Sequence, residues 1–152
     1  MNLVEPGIVG GDLCPKGLLS EVERALRHRF DLGAVAVRLP DASGEQVEAW
    51  TRAVFGELRS YDRRGAFEDG TLLLVLPHVP RRHAVLVAER LLHRLSADHE
   101  AAGVRVSVSM LSQAEPPSAE RLVEDTLEGL ERAGSAVEAN PTGLMNWRVA
   151  AG

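Results

Sequence analysis

The dipeptide Asp69-Gly70 restricts the possible folds of this chain more than any other feature of its sequence. It separates two segments typical of β-strands, residues 65–68 and 71–76, and the second segment is almost entirely apolar. Asp-Gly between two such segments is a strong signal of a tight, two-residue β-hairpin turn. We therefore predict two antiparallel strands in the middle of the chain, of which the second is buried.

Helical and strand-like segments alternate on both sides of this hairpin. Apolar residues recur at helical spacing in four segments, at about residues 18–29, 43–58, 80–97 and 118–134. Three further segments have strand character, namely residues 34–40, 104–110 and 144–149. The order α-β-α-β-β-α-β-α-β predicts an α/β (α+β) domain with a mixed central sheet, flanking helices and a ferredoxin-like core.

The beginning of the chain differs in character from the rest. Residues 1–15 contain several Gly and Pro and lack periodicity, so we predict a flexible leader followed by one domain over residues 16–150. The tetrapeptide Gly10-Gly11-Asp12-Leu13 falls in this leader, and we interpret it as a loop. A chain of 152 residues is long enough for one domain with a full core.

Composition and charge narrow the classes of function. Apolar residues make up 45% of the chain, charged residues 26%, and the net charge is −5. We therefore expect no general binding to DNA, RNA or membrane surfaces, and an anionic partner would need a local basic site. The single cysteine, Cys14, excludes an internal disulfide and a cysteine-based zinc cluster. Without a transmembrane run or a signal peptide, we expect a cytoplasmic protein that is not inserted in a membrane.

The region from Arg59 to Leu92 resembles the GGDEF domain, the fold of the diguanylate cyclases. It contains an Arg-x-x-Asp sequence, Arg59 to Asp62, then the hairpin, an apolar strand ending in Pro77, and a helix with the sequence "AER". The family's signature turn falls on "EDGTL", residues 68–72. The apolar strand and the "AER" of the next helix then match the family without a gap. The resemblance extends less specifically over residues 16–149, where "VRVSVSM" is similar to another strand of the family.

The residues that cyclase chemistry requires are not present at the corresponding positions. The family has an acid that serves the metal at the third position of the turn, where this chain has Gly70, and a carboxylate where the first strand ends at Arg38. Two-metal phosphoryl transfer needs carboxylates at both places. The segment that holds the substrate guanine is also shorter by roughly ten residues. These differences from the family predict that the chain is not an enzyme. We expect no catalytic residues, no bound metal and no cofactor.

The resemblance does retain the family's inhibitory site, which binds the product cyclic di-GMP. An Arg-x-x-Asp lies five residues before the turn, as Arg59 and Asp62 do here, and many members add an arginine at the position of Arg90. An arginine fork matches guanine O6 and N7, and a carboxylate accepts from guanine N1–H and N2–H. We therefore predict that Arg59, Asp62 and Arg90 bind cyclic di-GMP, with Tyr61 facing away from Arg59.

Simpler interpretations of these residues exist. About one Arg-x-x-Asp match is expected by chance in a chain of this composition, and a second one begins at Arg38. Arg59 and Asp62 would then be a solvated ion pair. His83, Arg90, His93 and Arg94 share a helical face. The simplest interpretation is that this face is solvated, and the alternative is that it flanks the ligand. Arg59 and Arg90 each lie at the distance from the turn that the family's inhibitory site has, and this agreement favours the ligand site.

Three functions follow from these alternatives. The first is a non-catalytic cyclic di-GMP receptor in bacterial second-messenger signalling, which regulates a protein partner or its own dimerisation. The second is a protein-interaction module with a GGDEF-like fold and no ligand. The third is a regulator that still binds GTP with Mg²⁺, which the missing carboxylates disfavour.

Overall fold

The computed structural model describes residues 8–101 and 103–133. It contains five strands and four α-helices in that range. In chain order they are β1 (Ile8–Gly11), α1 (Pro15–His28), β2 (Leu32–Arg38), α2 (Gly44–Phe55), β3 (Arg63–Phe67), β4 (Leu72–Pro77), α3 (Arg81–Ser96), β5 (Arg105–Met110) and α4 (Ala119–Ala133). The predicted strand at residues 144–149 lies outside the described residues. No helix among the described residues is long and apolar enough to cross a membrane.

The strands form one sheet in the order β1-β3-β4-β2-β5. The predicted α+β class and ferredoxin-like core are confirmed, since β2 to β5 and the helices α2 and α3 make a β-α-β-β-α-β unit. The predicted mixed sheet is wrong, because all four described strand pairings are antiparallel. Each helical crossover, from β2 to β3 and from β4 to β5, skips one position, and an antiparallel strand fills it.

Helices cover both faces of the sheet. Side chains alternate along a strand, so Val35 of β2 and Leu74 of β4 lie in a core with Trp50 of α2 and Leu91 of α3. The intervening side chains lie in a second core against α1 and α4, with members such as Ala34, Leu73, Leu18 and Leu122. The central strands β2 and β4 are therefore buried on both sides, as their apolar sequences predict.

The prediction of a flexible leader over residues 1–15 is wrong for its described part. Ile8–Gly11 is the edge strand β1, which pairs with β3. The connection to α1 is also fixed, because the backbone N–H of Leu13 donates to the carbonyl of Arg64 at 2.9 Å and Leu13 is buried. Gly10 and Gly11, interpreted as a loop, are part of the strand. An edge strand needs only backbone hydrogen bonds, so no side-chain periodicity indicated it.

The hairpin between β3 and β4 has a three-residue loop, in contrast to the predicted two-residue turn. The N–H of Phe67 donates to the carbonyl of Thr71 at 2.8 Å, and the N–H of Gly70 donates to the carbonyl of Phe67 at 2.9 Å. Gly70 has a φ of +87°, and Asp69 Oδ1 accepts from the Thr71 N–H at 2.9 Å. Three-residue hairpin loops commonly place glycine in this left-handed conformation.

Candidate ligand-binding site

The fold brings together two of the three predicted ligand residues at one surface pocket. Arg59 lies in the connection between α2 and β3, and Arg90 lies in the middle of α3. Both line a pocket of about 310 Å³, together with four residues of the α3 region, Val79, His83, Leu86 and Val87. Asp62 is not among the lining residues, because it is buried behind Arg59 and only 3% exposed.

Asp62 is the anchor of Arg59. Its Oδ1 accepts from Arg59 Nη2 at 2.8 Å, and its Oδ2 accepts from the Arg59 backbone N–H at 2.8 Å. Arg59 Nε lies 3.2 Å from both oxygens. A turn brings the Asp62 side chain back to Arg59, since the Asp62 N–H donates to the Arg59 carbonyl at 3.1 Å. The buried carboxylate therefore positions Arg59, and both of its oxygens already accept hydrogen bonds from that residue.

Arg59 is held by two further partners. Its Nη2 donates to the carbonyl of Pro77, at the end of β4, at 3.1 Å, and its Nη1 donates to the Tyr61 hydroxyl at 2.6 Å. The prediction that Tyr61 faces away is wrong, because Arg59 Cζ also lies over the Tyr61 ring, 4.3 Å from its centroid. The hydrogen bonds that Arg59 donates to Asp62, together with the negative charge of that carboxylate, raise the pKa of Arg59 further above its ordinary value.

These contacts leave Arg59 with little unused hydrogen-bonding capacity. A guanidinium has five N–H donors, of which Nε uses one, Nη2 uses two and Nη1 uses one in the contacts above. One N–H of Nη1 remains for a ligand. Arg90 is different, because it is exposed and has no ion-pair partner within the part of the chain that the structure describes. The pocket therefore combines an arginine held by several hydrogen bonds with an exposed arginine that has no ion-pair partner among the described residues.

Three of the remaining pocket residues, Val79, Leu86 and Val87, were not assigned a ligand role from the sequence. His83, Leu86 or Val87, and Arg90 follow one another at helical spacing, so one face of α3 supplies most of the lining. The sequence did place His83 and Arg90 on one face, which was interpreted as solvated or as flanking the ligand. Val79, Leu86 and Val87 give the pocket an apolar wall that a flat base can contact.

A second cluster occupies the end of β2 beside the hairpin loop. Arg38 Nε lies 3.5 Å from Thr71 Oγ1, and its Nη1 forms an ion pair with Glu131 of α4. Arg105 Nη1 lies 3.7 Å from the same carboxylate. The hydrogen bond and charge of Arg38 lower the pKa of Glu131. A backbone hydrogen bond from Thr71, with a further contribution from Arg38, lowers the pKa of Asp69.

This cluster does not resemble a metal site. Within residues 8–101 and 103–133, no three His, Cys, Asp or Glu side chains lie close enough together to hold a metal ion. Arg38 and Arg105 both carry positive charge toward the exposed carboxylate of Glu131. A divalent cation at this place would be repelled by two guanidinium groups.

No protein-family model and no curated protein matches this sequence. Solved structures do match. The active GGEEF domain of a diguanylate cyclase from Vibrio cholerae has a TM-score of 0.67 and 14% identity, over 78% of this chain and 85% of that chain. The GGDEF domain of DgcB from Caulobacter crescentus, in complex with c-di-GMP, has a TM-score of 0.67 and 10% identity, over 82% of each chain.

A third match is the diguanylate cyclase SiaD from Pseudomonas aeruginosa, in complex with its activator SiaC. Its TM-score is 0.54 and its identity 24%, over 79% of this chain and 54% of that chain. At identities this low, the matches describe the arrangement of strands and helices and not the chemistry. The chain therefore has the fold of the GGDEF domains, as its sequence predicts.

Proposed function

We propose that this chain is a non-catalytic receptor for cyclic di-GMP and binds it at the pocket of Arg59 and Arg90. One observation carries the proposal: two arginines far apart in the sequence, at the offsets of the family's inhibitory site, line the same pocket. A local basic site is what an anionic ligand requires on a chain with a net charge of −5.

Five of the six lining residues have a role that fits this ligand. Arg90 is free to form a bidentate contact with a phosphate or with guanine O6 and N7. Arg59 offers its remaining Nη1 N–H from a fixed position, and the apolar wall of Val79, Leu86 and Val87 contacts the base. Asp62 acts through Arg59, by holding the guanidinium in place. The sequence-based prediction of a direct contact between Asp62 and guanine stays a prediction.

The absence of cyclase activity is part of the proposal. It is supported by Arg38 beside the hairpin loop and by Gly70 at the loop position where the family carries an acid. A chain with these residues lacks the paired carboxylates that hold Mg²⁺ against a triphosphate. Incubation with GTP and Mg²⁺, followed by chromatography of the nucleotides, is expected to give no cyclic di-GMP. Formation of cyclic di-GMP would contradict this part.

Calorimetric titration with cyclic di-GMP tests the binding site. The wild-type chain is expected to bind. Arg90→Ala is expected to weaken binding about tenfold or more, because a good bidentate contact contributes about 1–3 kcal/mol. Arg59→Ala is also expected to weaken binding about tenfold or more, because it removes the one charged N–H donor that Arg59 offers to the ligand. Arg94→Ala is the matched control, since Arg94 is on the same helix, pairs with Glu57 at 2.7 Å and does not line the pocket. No binding by the wild-type chain would overturn the proposal.

We also propose that the bound ligand changes the association of the chain with a partner protein or with a second copy. The pocket lies on the surface beside the exposed side chain of Leu86, so a bound dinucleotide would extend a surface that another protein contacts. Sedimentation velocity with and without cyclic di-GMP tests for a second copy. An unchanged sedimentation coefficient at saturating ligand would leave a different partner protein as the target.

A further inference from the structure

We propose that Tyr61 is a binding residue of this site and presents an aromatic surface on which one guanine of the ligand stacks. The inference rests on the proposed function of the pocket and adds a residue to it. Tyr61 is the second of the two variable positions in the Arg-x-x-Asp sequence, and no role was assigned to it from the sequence.

The first argument is the exposure of the ring. Tyr61 is 53% exposed, and it is one of three large hydrophobic side chains that are exposed within the described part of the chain. Another of the three, Leu86, lines the pocket itself. Exposed aromatic rings beside cationic side chains are the usual stacking platforms for nucleic-acid bases, because every base has a π-face.

The second argument is that the ring is already held in place. The Tyr61 hydroxyl accepts from Arg59 Nη1 at 2.6 Å, and Arg59 Cζ lies 4.3 Å from the ring centroid. Arg59 is in turn fixed by Asp62 and by the Pro77 carbonyl. A ring ordered before binding costs less conformational entropy when a ligand stacks on it than a mobile side chain does.

The third argument is the size of the pocket. At about 310 Å³ it is at the small end of ligand pockets, which suits one base better than a ligand with two bases. Arg59 lines the pocket, while Tyr61 does not, so Tyr61 flanks the same guanidinium from outside the pocket. One guanine inside the pocket would leave the second guanine beside Arg59, where Tyr61 is the exposed ring.

The Tyr61 hydroxyl has a second use. Since it accepts a hydrogen bond from Arg59, its own hydrogen is free to donate to guanine O6 or to a phosphate oxygen. Stacking and hydrogen bonding can be separated by substitution, because Tyr61→Phe removes only the hydroxyl and Tyr61→Ala removes the ring as well.

Calorimetric titration of Tyr61 variants with cyclic di-GMP tests the proposal. Tyr61→Ala and Tyr61→Leu are expected to raise Kd about tenfold, which is within the range for loss of one stacked base, while Tyr61→Phe and Tyr61→Trp stay within about threefold of the wild type. Leu26→Ala is the control, since Leu26 is 46% exposed and lines a different pocket. Wild-type affinity in Tyr61→Ala, or equal affinities of the Leu and Phe variants, would overturn the inference.

A spectroscopic experiment reports on the ring itself. Tyr61 is the single tyrosine of the chain, so incorporation of fluorotyrosine gives one ¹⁹F resonance. We expect this resonance to shift during titration with cyclic di-GMP and to saturate with the calorimetric Kd. Calorimetric binding with an unmoved resonance would overturn only the role of Tyr61, whereas no calorimetric binding by the wild-type chain would overturn the proposed function.

Discussion

Asp62 makes four contacts with a single arginine, and this concentration of hydrogen bonds gives a prediction at the scale of one residue. Asp62→Asn is expected to lower the free energy of unfolding by about 1–3 kcal/mol, since the amide keeps the shape and loses charged hydrogen bonds. Arg59 has a side chain that is 38% exposed, so water replaces part of the loss and the lower half of that range is expected. Urea denaturation measures the change.

Glu57→Gln is the control for this measurement. Glu57 pairs with Arg94, whose side chain is 55% exposed, and the loss of such a surface pair costs less than about 1 kcal/mol. If Asp62→Asn were no more destabilising than Glu57→Gln, Asp62 would not anchor Arg59. Asp62→Asn is also expected to weaken cyclic di-GMP binding, although Asp62 does not line the pocket.

Two glycines with nearly equal φ angles differ in the space around them. Gly11 has a φ of +88° and Gly70 a φ of +87°, so alanine is strained at both, by about 1–2 kcal/mol. A Cβ at Gly11 would lie 2.3 Å from the carbonyl oxygen of Arg64, whereas a Cβ at Gly70 would meet nothing within 4 Å. Gly11→Ala is therefore expected to be the more destabilising by about 1–3 kcal/mol, the usual cost of overpacking.

Thermal unfolding of both alanine variants, compared with the wild type, tests this difference. Equal losses of stability would mean that β1 separates from β3 at little cost.

At the scale of elements, periodicity predicted the helices and the central strands because each of them buries one or two faces. It missed β1, which is an edge strand held by its backbone. The strict alternation of polar and apolar residues in β5 is typical of a half-exposed strand, but α4 covers this strand, and the buried Ser107 donates its hydroxyl hydrogen to the carbonyl of Thr126. The alternating pattern therefore identified β5 as a strand, but it did not indicate that the polar side chain of Ser107 is buried.

The candidate site was only partly predictable for a similar reason. The offsets of Arg59 and Arg90 from the hairpin are properties of the sequence, and they identified two side chains that share a pocket. The contact between Arg59 and Tyr61 depends on the turn that brings Asp62 back to Arg59, and it has no sequence pattern. The burial of Asp62 likewise depends on the packing of the connection between α2 and β3.

Two carboxylates on different elements are expected to give opposite dependences of stability on pH. In the hairpin loop, hydrogen bonds from Thr71 lower the pKa of Asp69 below 3.8. The folded state then binds fewer protons than the unfolded state, so this contribution is present above the ordinary pKa and is lost as the pH falls through 3.8 and lower. In α4, burial raises the pKa of Asp125. The charges of Glu128 and Glu124 also raise this pKa, whereas Arg121 lowers it. The contribution of Asp125 to the stability of the folded state therefore decreases as the pH rises through and above 3.8.

Urea midpoints of Asp69→Asn and Asp125→Asn, each compared with the wild type from about pH 6 to pH 3, measure these slopes. The stability advantage of the wild type over Asp69→Asn should shrink toward acid. The corresponding difference for Asp125→Asn should shift in favour of the wild type toward acid. Slopes of the same sign for both variants would contradict the assignment.

At the scale of the whole molecule, the pocket joins the connection after α2, the loop after β4 and the middle of α3. These segments meet only in the folded chain, so a ligand of the pocket stabilises the folded state by mass action. Cyclic di-GMP at 100 times its Kd is expected to add about 2.7 kcal/mol, which for a chain of 152 residues corresponds to a rise of roughly 5–10 °C in Tm.

Differential scanning fluorimetry against ligand concentration measures this rise, and the variants decide where it originates. Arg59→Ala and Arg90→Ala should flatten the concentration dependence, while Arg94→Ala should keep it, because Arg94 lies outside the pocket. GTP with Mg²⁺ is expected to give no shift, since Arg38 and Arg105 stand beside Glu131 at the end of β2 and no metal cluster exists among the described residues. A rise in Tm that needs Mg²⁺ and GTP, and that survives Arg59→Ala, would place nucleotide binding at the hairpin loop instead.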